Sequence, residues 1–155
     1  MKNILTGFAA LLLVILFSGC LKDNGCRNKT VESEKATMLN YANSNGITAT
    51  EHSSGLLYQV TTPGTGPAPT LNSTVSVRYV GKLLDGTVFD SQNGTPATFP
   101  LDQVIPGWQL GLPLVQKGGT IKLILPSSLA YGCNGVGAIP GNSILYFEVQ
   151  LVDVQ

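Results

Sequence analysis

The chain has 155 residues with nine Lys and Arg against nine Asp and Glu, so its formal net charge is zero and its charged fraction only 12%. That balance provides no basic stripe to neutralise phosphates, and nucleic acid is not expected as a partner. Eighteen Gly, nine Pro and 43% hydrophobic residues, with a mean hydropathy of +0.22, exclude wholesale disorder and suggest one domain of short strands joined by tight turns.

Residues 1–19 read as an export signal: Lys2 gives a positive start and Ile4 to Phe17 an almost continuous apolar run. The run is short for a spanning helix, which needs roughly 17–25 apolar residues. Its close, Phe17-Ser18-Gly19-Cys20, resembles the lipobox of bacterial lipoproteins, with Phe17 where Leu is usual. The resemblance implies cleavage before Cys20 and lipidation of its thiol. A membrane partner would then be reached through the anchor, in the cell envelope, facing the periplasm or exterior. An ordinary signal peptide and a retained anchor are the alternatives.

Residues 20–50 follow as a tether and a short helical extension. Seven charges crowd into residues 22–35, so residues 21–30 read as a solvated tether. Thr30 to about Asn43 predicts a helix, with Thr30 as cap, a thin apolar stripe of Val31, Met38, Leu39 and Ala42, and Asn45-Gly46 as its end. Such a stripe suits either dimerisation or packing.

Residues 51–155 form the globular domain. Leu56 to Thr61 is a first strand. Val75, Val77, Tyr79 and Leu83 alternate with polar residues in a second, and Asp85-Gly86 turns it into Thr87-Val88-Phe89. Ile121, Leu123 and Leu125 give another apolar face, and Leu145, Phe147, Val149 and Leu151 alternate with Tyr146, Glu148 and Gln150 in the last strand. Pro106 to Leu110 is one short helix, started by Pro106 and limited by Pro113. One helix among at least four strands predicts an α+β fold, an antiparallel sheet curled over a single helix.

Much chemistry is missing from the sequence. There is no nucleophile elbow, zincin motif, phosphate-binding loop or dinucleotide fingerprint. The single histidine, His52, reads as a loop residue, and one His with three Cys makes neither a metal site nor a cofactor expected. Cys26 and Cys133 are able to pair in an oxidising compartment, but the place of Cys26 in the tether favours unpaired thiols.

What remains is a set of aromatic and branched residues at strand ends and in Gly/Pro-rich loops. The segments Val77 to Ser91, Val104 to Trp108, Ala130 to Gly132 and Ile144 to Leu151 resemble, in order and spacing from about Gly55 to Val154, the FKBP-type peptidyl-prolyl cis-trans isomerases. The resemblance implies a five- or six-stranded antiparallel half-barrel wrapped on a short helix. It also implies a pocket of Tyr79, Phe89, Asp90, Phe99, Val104, Ile105, Trp108, Tyr131, Ile139 and Phe147, with proline-containing polypeptides as substrates and macrolides as inhibitors. Tyr79, Asp90 and Tyr131 would be the catalytic polar groups and the other seven would bind substrate. Trp108 would form the floor beneath the proline ring, and the Tyr131 hydroxyl and Ile105 amide would hold substrate carbonyls. Ala97 and Val136-Gly137-Ala138 depart from the family pattern and bear on substrate preference and inhibitor affinity.

The expected chemistry needs no nucleophile. Twisting an Xaa-Pro amide loses resonance against a barrier of about 18–20 kcal/mol. An apolar pocket favours the twisted, less charge-separated state over the solvated planar one. The alternative is a proline-segment binding module or envelope chaperone that uses the same pocket with little or no turnover. The intact aromatic set and Asp90 favour the enzyme, and the eight residues between Tyr131 and Pro140, where strong holdases of the family often carry a large insertion, favour modest activity and little separate chaperone function.

Overall fold

A computed structural model describes residues 25–155. The expected signal segment 1–19, the expected lipidation site Cys20 and the start of the expected tether lie outside the described residues. Helix α1 spans Val31–Ser44. The strands are β1 (Thr50–Glu51), β2 (Leu57–Thr62), β3 (Thr74–Leu83), β4 (Val88–Pro100), β5 (Thr120–Leu125) and β6 (Leu145–Val154), and helix α2 spans Pro106–Gly111. All strand pairs are antiparallel, in the order β1-β2-β5-β6-β3-β4. The architecture is the expected α+β half-barrel, with one two-residue edge strand that the sequence pattern does not reveal.

Period two places alternate residues of each strand on opposite faces. The inner face buries Val75, Val77, Ile121, Leu123, Leu125, Leu145, Phe147, Val149 and Leu151 against Trp108 and Leu112 from the helical side. Helix α2 lies directly on β5 because Gly107 and Gly111 leave room for the side chains of Leu125 and Leu123, which a Cβ at either glycine would strike. Pro106 starts the helix at its first turn, where a missing N–H costs nothing.

The outer face is apolar at one end only. Leu57, Ile124 and Tyr146 are buried there beneath Met38, Ala42 and Ile47. Helix α1 therefore packs on the sheet, the second of the two uses its stripe allowed. Tyr146 alternates with core residues, as the pattern predicts, yet it is 7% exposed because α1 covers it. Thr30 caps α1 by accepting from the Ser33 amide at 3.2 Å.

Two features of residues 25–34 correct the sequence reading. Cys26 and Cys133 form a disulfide with Cα atoms 5.4 Å apart, so the thiols are paired. Residues 25–30 are exposed, as a tether should be, but they are fastened to the domain. Asn28 Oδ1 accepts from the Cys133 amide at 2.8 Å, the Lys29 amide donates to Asn142 Oδ1 at 3.1 Å, and Asn142 Nδ2 donates to the Arg27 carbonyl at 3.2 Å. The contacts that fix this segment lie more than a hundred residues away in sequence, so local composition signals solvation and nothing more. A cross-link spanning 107 residues removes unfolded-state entropy equivalent to about 5 kcal/mol in the chain-entropy account.

Candidate active site

The site opens between the inner face of the sheet and α2. Position 79 on β3 points inward and delivers Tyr79, while Phe147 arrives from the neighbouring β6. Strand β4 contributes twice. Its register against β3 jumps between Val77↔Ala97 and Tyr79↔Gln92, so residues 93–96 bulge away and both Phe89-Asp90 and Phe99 reach the same opening. The bulge is held by Arg78 Nε donating to the Gly94 carbonyl at 2.9 Å and by Gln92 Nε2 donating to the Thr95 carbonyl at 2.6 Å.

Trp108 is the centre of an edge-on cage. Its ring lies 5.1 Å from Tyr79, 5.3 Å from Phe147 and 6.2 Å from Phe99, all near perpendicular, and Phe89 meets Phe147 at 5.5 Å in the same manner. Edge-to-face pairing is the favoured geometry for aromatic quadrupoles, and it leaves the indole only 4% exposed. Gly81 makes the Phe89–Phe147 contact possible: a Cβ there would lie 2.7 Å from Phe89 and 2.8 Å from Phe147 ring atoms.

The resulting pocket has a volume of about 320 Å3 and is lined by nine of the ten predicted residues together with Gln103. Ile139 is the exception. It is buried in the inner core and lines an adjoining depression with Val136, Gly137 and Ala138, sharing Phe89, Asp90 and Tyr131 with the main pocket. Gln103 and Gly81 escape the sequence reading. A polar residue beside Val104-Ile105 and a glycine at an inward strand position were the signals available for them.

Polar groups sit at the rim. The Tyr79 hydroxyl donates to Asp90 Oδ2 at 2.6 Å, a charge-assisted bond. Burial first, and then Asp90, push the Tyr79 phenol far above its usual range. Burial and the Asp90 charge raise Tyr131 as well. Both phenols therefore remain neutral donors at physiological pH. Tyr131 stands 37% exposed at the mouth, and the Ile105 amide has no partner among the described residues. Residues 25–155 contain no cluster of three His, Cys, Asp or Glu fit to hold a metal. His52 bonds Ser54 Oγ through Nδ1 at 2.9 Å, and it is not among the residues lining the pocket.

A half-open antiparallel sheet curled on one short helix carries an apolar aromatic pocket with a few polar groups at its rim, the form of a small-ligand binding site. The sequence profile of FKBP-type peptidyl-prolyl cis-trans isomerases matches residues 66–152. The FKBP-type isomerase FkpA of Aeromonas hydrophila is 50% identical over 116 residues, covering 74% of this chain and 42% of that protein. FkpA of Escherichia coli K12 is 52% identical over 105 residues, 66% and 39% of the respective chains. A crystal structure of FkpA from Escherichia coli superimposes with a TM-score of 0.72 at 44% identity, covering 81% of this chain and 61% of the other. A peptidyl-prolyl isomerase from Pseudomonas syringae aligns with a TM-score of 0.69 at 36% identity over 83% of this chain and 98% of its own. The chain belongs to the FKBP-type peptidyl-prolyl cis-trans isomerase family, and it spans about two fifths of the length of those curated relatives.

Proposed function

We propose that the protein is a peptidyl-prolyl cis-trans isomerase that accelerates proline-limited folding of exported polypeptides. The observation that carries this reading is the edge-on cage around Trp108, open on one side and faced by the Tyr79–Asp90 pair. A prolyl ring seated on the indole would leave its preceding carbonyl among Tyr79, Phe89, Asp90 and Phe147. Water removal there disfavours the planar, charge-separated amide relative to the twisted one. Tyr131 and the Ile105 amide hold the flanking carbonyls. Asp90 fixes the Tyr79 hydroxyl and needs no proton transfer, because rotation makes and breaks no bond. Val104, Ile105 and Phe99 are walls, and Ile139 shapes the adjoining depression in which the residue before proline would lie. Macrolides that mimic a twisted prolyl amide would compete for the same pocket.

We place the protein in the cell envelope, with residues 1–19 as signal peptide, Cys20 as lipidation site, residues 20–50 as extension and 51–155 as isomerase domain. The Cys26–Cys133 bond supports an oxidising compartment. Six residues of chain from Cys20 to Cys26 reach at most about 22 Å, so a lipidated Cys20 would hold the pocket mouth close to the bilayer surface.

The test is a protease-free isomerisation assay on a Leu-Pro peptide. Wild type accelerates the reaction and a macrolide abolishes the effect. Trp108→Ala lowers kcat/KM about 100-fold, equivalent to roughly 2.7 kcal/mol, and Phe89→Ala and Asp90→Ala lower it less, all with unchanged circular dichroism. Macrolide binding without acceleration would replace the enzyme by a proline-binding module.

A further inference from the structure

We infer that residues 26–34 are a positioning brace for the substrate loop, and that the Cys26–Cys133 disulfide makes substrate grip depend on the redox state of the compartment. The inference rests on the isomerase reading above. The connection from β5 to β6 carries Tyr131 at the pocket mouth and Ile139 in the adjoining depression. Within itself it is a chain of turns: the Gly132 amide donates to the Ser127 carbonyl at 2.8 Å, the Asn142 amide to the Gly132 carbonyl at 2.7 Å, and Val136 and Ile139 exchange amide bonds. These bonds give the loop a shape but do not hold it to the domain.

Among the described residues, the hydrogen bonds that join this connection to the rest of the chain come from the N-terminal segment. Glu34, 2% exposed, accepts from the Ser127 amide at 2.8 Å at the start of the connection. Asn28 accepts from the Cys133 amide, and Asn142 bonds the backbone of Arg27 and Lys29 at its end. The disulfide sits between them, two residues after Tyr131. The brace is in turn anchored by α1, whose Met38 and Ala42 are buried on the sheet. Start, middle and end of the loop are thus tied to one rigid support.

Reduction by an envelope dithiol protein transfers two electrons and two protons. The Cys26–Cys133 bond breaks to two thiols while the reductant closes its own disulfide. Asn28 then has only its hydrogen bond to keep it on Cys133, and Tyr131 gains freedom. Because Tyr131 is assigned to grip a flanking carbonyl in ground and transition states alike, its loosening raises KM and leaves kcat unchanged.

The experiment follows amide exchange and kinetics in the full chain, oxidised and treated with a dithiol, and in Cys26→Ser/Cys133→Ser and Asn28→Ala variants. Reduction, and the double variant, speed exchange at Gly132, Cys133 and Asn142 by about tenfold more than at Ile121 to Leu125 in β5. They raise KM by roughly three- to tenfold at constant kcat. Asn28→Ala, with the disulfide intact, shows the same pattern more weakly. Equal acceleration of loop and core exchange, or a fall in kcat at constant KM, would mean that the bond only stabilises the fold and would overturn the inference. If no state isomerises proline but loop exchange still responds selectively, the brace stands and the enzymatic reading fails.

Discussion

Both faces of the sheet bury aromatic residues beneath a helix, and both carry a tyrosine bonded to a carboxylate. On the outer face, Tyr146 reaches Glu148 at 3.4 Å and lies 5.6 Å from Tyr41 at a tilt of 51°. On the inner face, Tyr79 reaches Asp90 at 2.6 Å and meets Trp108 edge-on. The outer side is sealed because Met38, Ala42 and Ile47 include a flexible thioether and a small side chain that fill gaps. The inner side stays open because five rigid rings meet edge-on in four pairs centred on Trp108 and Phe147 and cannot collapse into the space between them. Similar chemistry yields a core on one side and a pocket on the other, and the shape of the partners decides which.

That contrast can be broken first from the sealed side. Met38 is fully buried, and Met38→Ala should cost about 3 kcal/mol by transfer and cavity terms, read as a lower urea midpoint. The kcat/KM of the folded fraction should not change, and a proportional loss would show that the outer core shapes the pocket. On the open side, Tyr79→Phe removes the hydroxyl bonded to Asp90 and should lower kcat/KM roughly three- to tenfold. Combining it with Asp90→Ala should add little, since the two act as one unit; full additivity in the double-mutant cycle would separate them.

The smallest expected effect is that of pH. Tyr41, Tyr79, Tyr131 and Tyr146 are all raised, chiefly by burial. The unfolded chain ionises its phenols near pH 10 while the folded one does not, so on the alkaline side these phenols lower stability only above about pH 10. Below that, both donors of the pocket are protonated, and kcat/KM should be flat between about pH 6 and 9. A step inside that window would show that another group titrates in the mechanism.

The strands were legible because side-chain alternation is local: Val75-Val77-Tyr79 and Leu145-Phe147-Val149 lie inward as their spacing requires. Helix α1 was legible from Thr30 and its stripe, but the burial of Glu34 was not. Nothing in its neighbours signals an acceptor for the Ser127 amide 93 residues away. Nine residues lining the pocket were recognisable from the family resemblance, whereas Gln103 lies outside its motifs and Gly81, though inside the Val77–Ser91 segment, acquires its role only where Phe89 and Phe147 converge on it.

The sequence by itself determined the alternation of the strands, the Thr30 cap of α1, the Pro106 start of α2, and the aromatic set. These depend on near neighbours and on residue type. Tertiary structure alone decided that α1 seals one face, that the β4 bulge brings Phe89 and Phe99 to one opening, and that Cys26 meets Cys133. Each of these is a contact between distant segments, fixed by how the sheet curls and by which surfaces remain to be covered once it has.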